Sequence, residues 1–585
     1  DNGGILVDES TRKRRDLWIR KILVVGLFIG LSILFTITFY INGRLGIDSD
    51  GSFHFSRVEE IYRNLKEGSF FTFIATHTFH NSGVGSFLFY PSVFIYPWAT
   101  LRFIFDPLRA FYVWYGLVMF LTMAIAYYVM FKFSQRRIRA IIFAIFYAIS
   151  AYHLYLGLKN YVIGEFIAYT FVPLVMYGFY EVVFGDAKKW PLLSMGVALL
   201  LYSHLLSTVM AVAIMAVIFI ISLICGRIPD KARWSALAKS VGLALLLSAW
   251  MIYPFITDYL KSDLGTPLPG FSFQYTMQEF WAASLENSAT NRGIGIALLI
   301  AALFGWYFVK SDRRERIIYA LGLTFIVLST SLFPYSVLQR VESLSFLQVI
   351  QFPYRFSVYS SFFLAIVLSL MVTRLFDNKK KYQRIVTLLG VVSVASLLYF
   401  NSVTLMIDRI SDPDPNVMLR ETDDRFATVP QGAVLDHANY KLLFDYLVLY
   451  GETDYYPKRS FANNYITTNP AAQSIILHHV KVGEKVIEKT PVVAPNEITY
   501  QVALKKKATV DLPIIVYPGT KVYVNGKNVS HETSKRGTVM LKLNQGTYKI
   551  TTRYEMSKIY YSMLFIALLS WGGLAIVGVR KCYTH

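Results

Sequence analysis

The sequence predicts a polytopic α-helical membrane protein that carries a β-rich, sandwich-like domain near its C-terminus. Three observations lead there. Apolar runs of about 17–23 residues recur along the chain, each long enough to cross hydrocarbon. Only 16% of the 585 residues are charged, 54% are hydrophobic and the mean hydropathy is +0.42; a soluble chain carries about 25% charged residues. Residues 407–558 then leave this pattern for alternating polar and apolar positions, the period of strands.

Twelve spans are expected, near 22–41, 111–131, 140–157, 166–184, 191–204, 205–225, 237–256, 291–309, 317–333, 358–373, 384–406 and 559–579. The first is expected to be a retained span, since no small-residue cleavage site follows it. Basic clusters stand between the runs: TRKRR (11–15), KFSQRRIR (132–139), KSDRRER (310–316) and NKKKYQR (378–384). With TRKRR inside, the clusters alternate consistently and both termini are cytoplasmic. Residues 87–105 are apolar enough to be a thirteenth span, but a crossing there would put KFSQRRIR outside. With Pro91 and Pro97 in it, this segment is expected to be re-entrant or interfacial. The stretch 191–225 is expected to hold two short helices that break near Ser203 and His204.

The formal charge of +20 does not point to nucleic acid, because it sits in short clusters between apolar runs, as an anionic inner leaflet requires. Cys225 and Cys582 both adjoin basic residues, hence the cytoplasmic side, and the outer segments hold no cysteine. That usage suits a bacterial plasma membrane. The chain divides into a transmembrane region (1–406), a β-rich domain (407–558) placed outside by the topology, and a final span with a cytoplasmic tail (559–585). The strand signals are ITYQVALKK (498–506), KVYVNGKNV (521–529) and VMLKLNQGTYKITTRY (539–554), with Asn-Gly and Gln-Gly turns. About 150 residues suffice for a separate core.

The candidate chemistry lies at the outer ends of the spans. In GIDSDGSFHFSR (46–57), Asp50, His54 and Arg57 stand at i, i+4 and i+7, so a helix presents all three on one face. Asp48 makes a D-x-D pair with Asp50. The alternative is an N-cap aspartate on an amphipathic helix whose Val58, Ile61 and Leu65 face lipid or core. Glu165 stands at the outer edge of the next cluster and could instead cap the helix entering there. His204 lies inside a 35-residue apolar stretch (191–225), either as a structural hydrogen-bonder or as an intramembrane functional group. Arg355, in QVIQFPYRF (348–356) with Gln351 and Tyr354, either snorkels to headgroups or grips a phosphate. All of these fall on one membrane face, which favours a single polar cavity open to lipid and water. A lipid-phosphate substrate suits such a cavity.

The ordered motifs GIDSDGSFHFSRVEEIYRNLKEGSFF, FYPSVFIYP, GEFIAYTFVPL, LYSHLLS and QFPYRF, with the later LPIIVYPGTKVYVNGKNV, resemble bacterial membrane proteins of the YfhO type. They are equally similar to the membrane family labelled 6-pyruvoyl-tetrahydropterin-synthase-related. Both resemble the C-type (GT-C) glycosyltransferase superfamily. The resemblance implies an inverting enzyme that moves a sugar from a polyprenyl-phosphate (undecaprenyl-phosphate) donor to a surface glycopolymer, a teichoic acid or cell-wall polysaccharide, outside the membrane. It implies Asp48 or Asp50 as general base, Arg355 and Arg57 as stabilisers of the departing phosphate, and His54 as a positioning group. A divalent cation (Mg or Mn) at the Asp48–Asp50 pair is left open, as is a polyprenyl-phosphate sugar synthase as a partner. Glu165 matches an acidic position of the family, but Asn160 and Tyr161 precede it where an arginine is common. Competing readings are a transporter or lipid-linked-sugar flippase, and a non-catalytic scaffold for envelope assembly.

Overall fold

The computed structural model describes residues 9–265, 270–448, 450–460 and 469–583. Among them, eight helices are long and apolar enough to cross a membrane: Trp18–Asn42, Pro107–Ser134, Ile163–Val183, Leu205–Ile224, Lys231–Tyr259, Pro353–Phe376, Lys381–Ser411 and Lys558–Arg580. The remaining four expected spans are shorter or broken. The 140–157 run bends by 44° between Arg137–Ala148 and Ala151–Leu158. Helices Trp190–Ser203, Ile296–Val309 and Arg313–Ser329 have 14, 14 and 17 residues, and a straight crossing takes about 20. All twelve expected apolar runs are thus helical, eight of them long and straight enough to cross alone, and hydropathy counts such runs without seeing where a chain bends. Residues 86–101 form only short turns, Ser86–Phe89, Val93–Ile95 and Tyr96–Leu101, none long enough to cross. The expected break falls at His204, whose backbone is extended between two helices.

Burial separates two kinds of helix. Ile163–Val183 is 94% buried across its apolar window, whereas Lys558–Arg580 is 6% buried. The first is a central strut of the bundle; the second offers its sides to lipid.

Two short strands, Leu45–Gly46 (β1) and Val434–Leu435 (β2), pair antiparallel and tie the first loop to the segment after Ser411. Ten further strands follow: β3 (His479–Val482), β4 (Lys485–Glu488), β5 (Val492–Ala494), β6 (Glu497–Leu504), β7 (Ala508–Ile515), β8 (Thr520–Val524), β9 (Lys527–Val529), β10 (Glu532–Thr533), β11 (Thr538–Leu543) and β12 (Gly546–Tyr554). They form two five-stranded sheets, ordered β10-β11-β7-β3-β4 and β5-β6-β12-β8-β9. Inward-facing Ile498, Tyr500, Val502, Val510, Leu512, Val522 and Ile550 make a core distinct from that of the helices. Asn525 and Gly526 turn β8 into β9 with both φ angles positive, +49° and +82°, as a two-residue hairpin requires. The chain is thus a multi-pass α-helical membrane protein with a β-sandwich.

The sandwich is fastened to the loop that follows the Asp50 helix, Gly51–Lys66. Asn496 takes the Phe73 amide at 2.6 Å and donates to the Phe71 carbonyl at 2.7 Å. The Tyr517 hydroxyl donates to the Tyr455 carbonyl (2.6 Å) and accepts the Gly85 amide (2.9 Å). Glu60, fully buried, accepts the amides of Thr76, His77 and Thr78 and the hydroxyls of Thr76 and Thr78, all within 3.2 Å. A carboxylate so satisfied fixes the loop to the helix.

Candidate active site

The site begins with a turn. Strand β1 delivers Ile47, whose amide donates to the Ala433 carbonyl at 2.8 Å. Ser49 then takes a left-handed φ of +44°, and the Gly51 amide closes on the Asp48 carbonyl at 2.9 Å. A left-handed residue between the two aspartates sends them to different partners.

Asp48 is tied down. Its Oδ2 accepts Lys159 Nζ at 2.7 Å and Arg409 Nη1 at 3.1 Å. These three line a small cavity of about 50 Å³ with Tyr112 and Tyr161, and the Tyr161 hydroxyl donates to the Gly46 carbonyl at 2.6 Å. Asp50 stands at the N-cap of its helix, yet its side chain makes no capping bond; the Ser49 hydroxyl at 3.3 Å is its hydrogen-bond donor. Desolvation pushes the half-buried Asp50 carboxyl up to about 7, against the pull of Arg355, with Asp454 and Glu165 adding repulsion.

One turn on, His54 and Arg57 are 1% and 0% exposed. Arg57 Nη2 donates to the carbonyls of Tyr90 (2.8 Å) and Pro91 (3.1 Å). Its guanidinium lies over the rings of Tyr90, Phe87 and Phe53 at 4.7, 5.2 and 5.5 Å. Arg57 Nε and Nη1 and both His54 ring nitrogens are buried without a hydrogen-bond partner, and among the described residues no carboxylate pairs with Arg57. Burial depresses Arg57 to about 10 and holds His54 well below its ordinary range, so His54 is neutral. An unpaired buried cation beside a neutral imidazole is costly for a protein to keep.

On the other side of Tyr90, Glu165 sits in the first turn of Ile163–Val183. Its carboxylate makes no cap; it accepts the Tyr152 hydroxyl at 2.7 Å and Arg355 Nε at 3.4 Å. Arg355 is 8% exposed and does not snorkel: Nη1 donates to the Ile350 carbonyl (2.6 Å) and to Gln351 Oε1 (3.4 Å). Tyr354, stacked on Phe352 at 5.3 Å, carries the Arg292 guanidinium at 4.7 Å. His204 exchanges a hydrogen bond with the Ser207 hydroxyl at 2.8 Å, and its ring lies 5.8 Å from that of Tyr90. Gly164 permits this approach, since a Cβ there would overlap the Tyr90 hydroxyl, the Ser203 carbonyl and the His204 ring.

The structure therefore gathers Asp50, His54, Arg57, Glu165, His204 and Arg355 around Tyr90, with Gln351 and Tyr354 at one flank. Asp48 faces elsewhere. The Asp48 and Asp50 carboxylates share no partner: Asp48 Oδ2 serves two cations while its Oδ1 is buried without a hydrogen-bond partner. Among the described residues no group of three or more His, Cys, Asp or Glu is placed to hold a metal ion. Sequence reasoning missed Tyr90, Tyr152, Arg292 and Asp454. Tyr90 lies in the quoted FYPSVFIYP stretch and Tyr152 in YHLY (152–155), just before Glu165; Asp454 comes from the segment before the sandwich, some four hundred positions from Asp50, where no local pattern marks it. Burial pushes Asp454 up to about 6.

No protein-family model matches the chain, and no curated protein matches it in sequence. Among solved structures, the arabinofuranosyltransferase AftD from Mycobacteria is 12% identical with a TM-score of 0.46, over 91% of this chain and 40% of that one. This chain thus spans about two fifths of AftD's length. ArnT from Cupriavidus metallidurans, bound to undecaprenyl phosphate, is 12% identical with a TM-score of 0.43, over 72% and 84% of the two chains. The Archaeoglobus fulgidus oligosaccharyltransferase with a tethered acceptor peptide is 13% identical with a TM-score of 0.43, over 68% and 56%. Likenesses of this size carry no residue role to this chain, and the YfhO-type resemblance rests on its motifs alone.

Proposed function

We propose that the chain is a membrane glycosyltransferase of the C type. It transfers a sugar from a polyprenyl-phosphate donor to a hydroxyl of a cell-surface glycopolymer, such as a teichoic acid or cell-wall polysaccharide, with inversion, on the extracytoplasmic face of a bacterial plasma membrane. What supports this reading is the grouping around Tyr90 of Asp50, whose carboxyl burial pushes up to about 7, and of Arg57, buried with no carboxylate partner among the described residues. The ordered sequence motifs support it independently.

The roles we assign are these. Asp50 takes the proton from the acceptor hydroxyl, whose oxygen attacks the anomeric carbon from the face opposite the leaving group. The bond from that carbon to the phosphate oxygen breaks, and the phosphate keeps the electron pair. Arg57 has two unpartnered nitrogens for that charge, and Arg355 supplies a second guanidinium. Glu165 and Tyr152 orient Arg355, and His54 donates to a phosphate or sugar oxygen as a neutral imidazole. Asp48 clamps the first loop to Lys159 and Arg409 and takes no proton. A base with a pKa near 7 is matched to neutral conditions, because it is substantially ionised and still accepts a proton readily.

The test is transfer by the full chain in nanodiscs, supplied with a polyprenyl-phosphate sugar and candidate glycopolymers. Rate should rise with pH through about 7 and then level, since only ionised Asp50 is active. Asp50→Asn should lower kcat by about 10²–10⁴. Transfer that survives this change with its pH profile intact would reject the assignment.

A further inference from the structure

The far end of the bundle holds a second cavity that the transfer reaction does not use. It has a volume of about 470 Å³ and surrounds the C-terminal end of Ile163–Val183. Glu165 stands in the first turn of that helix, 11 to 19 residues before the lining residues Met176 to Phe184, or about 16–28 Å at 1.5 Å per residue. The cavity and the Asp50 site therefore lie toward opposite ends of that helix.

Its depth is apolar and aromatic: Phe143, Met176, Phe179, Phe362 and Phe363 line it, each less than a tenth exposed. Its rim carries Arg227, Arg313 and Arg314. The Arg314 guanidinium lies over the Phe133 ring at 4.3 Å and that of Arg227 near the Phe184 ring at 5.9 Å. The acids in reach are already engaged. Glu315 holds Arg139 through two bonds of 2.8 and 3.0 Å, Glu181 pairs with Lys189 at 2.8 Å, and Asp312 caps its helix by accepting the Arg314 and Glu315 amides. Among the described residues no ion pair neutralises any of the three rim arginines. Asp312 keeps its charge on the same rim, so three guanidiniums face one carboxylate; an apolar slot under that net positive charge matches a hydrocarbon chain attached to a phosphate.

We propose that this cavity holds an anionic phospholipid of the leaflet opposite the Asp50 site, of the phosphatidylglycerol class. One acyl chain lies against Phe143, Met176 and Phe363, and the phosphodiester lies at Arg227, Arg313 and Arg314. A zwitterionic lipid is disfavoured because its cationic headgroup would face the same arginines. The site is independent of the transfer reaction and stands whether or not that reading holds.

Native mass spectrometry of the full chain, with phosphatidylglycerol and phosphatidylcholine of identical acyl composition, reads the preference directly. The wild type should retain phosphatidylglycerol at least about ten-fold better, and R227Q/R313Q/R314Q should retain both equally. A diazirine-bearing phosphatidylglycerol photolysed on the wild type should label residues 176–184 and 362–366, so the outcome does not depend on the triple variant folding. Equal retention of both lipids by the wild type, or labelling confined to other segments, overturns the proposal. Undecaprenyl phosphate displacing phosphatidylglycerol from the labelled segments at equal concentration overturns it as well, by giving the cavity to the carrier lipid.

Discussion

Asp48 and Asp50 are the same residue type two positions apart on one loop, and their surroundings could hardly differ more. Asp48 is salt-bridged to Lys159 and Arg409; Asp50 has a serine hydroxyl, a distant arginine and two further acids acting on it. A carboxylate held between two cations is a fastener. One that burial pushes to about 7 is suited to exchanging a proton. The left-handed turn at Ser49 creates this contrast, and composition alone cannot distinguish the two outcomes.

The largest break in the comparison is Asp50→Asn against Asp48→Asn in the same transfer assay. The first should cost about 10²–10⁴ in kcat with the fold intact. The second should leave kcat within a few-fold and lower stability by about 1–3 kcal/mol, because two part-buried cations lose their shared partner. A thermal melt of each variant in detergent separates the two effects. Equal losses of activity would erase the distinction.

Arg57→Lys is next in size. A lysine keeps the charge but loses the planar fork, so kcat should fall about ten-fold, with apparent donor affinity less affected. A rate series over donor concentration separates the two, and an unchanged kcat would remove Arg57 from the departing phosphate. Arg355→Lys should act through both parameters, since Glu165 and Gln351 orient its guanidinium.

The smallest effect is also the sharpest. Asp454 raises Asp50 by repulsion and itself titrates near 6. Asp454→Asn should therefore move the acidic limb of the pH–rate profile downward, by a few tenths of a unit, without lowering the plateau. A shift upward would show that Asp454 does not face Asp50 as a charge.

The parts that were legible in the sequence follow from local period. Hydropathy located the long helices, alternation and Asn-Gly located the hairpin at Asn525, and i, i+4, i+7 spacing set Asp50, His54 and Arg57 on one helix. The rest depended on distant contacts. Arg409 reaches Asp48 across 361 positions, and β2 reaches β1 from beyond Ser411. Asp454 and Arg292 arrive from segments whose local sequence is unremarkable. The bend at 148–151 and the short helices near 296 and 313 escaped because an apolar run fixes no axis, whereas the short helix ending at Ser203 was legible from its polar break.

The most direct test of the contrast needs no substrate. Infrared difference spectra of the full chain in nanodiscs, taken against Asp50→Asn across pH, isolate the Asp50 carboxyl. The account predicts a protonated-carboxyl band lost with a midpoint near pH 7 and absent from the variant. A midpoint near pH 4 would make Asp50 an ordinary solvated acid and contradict its role as the base.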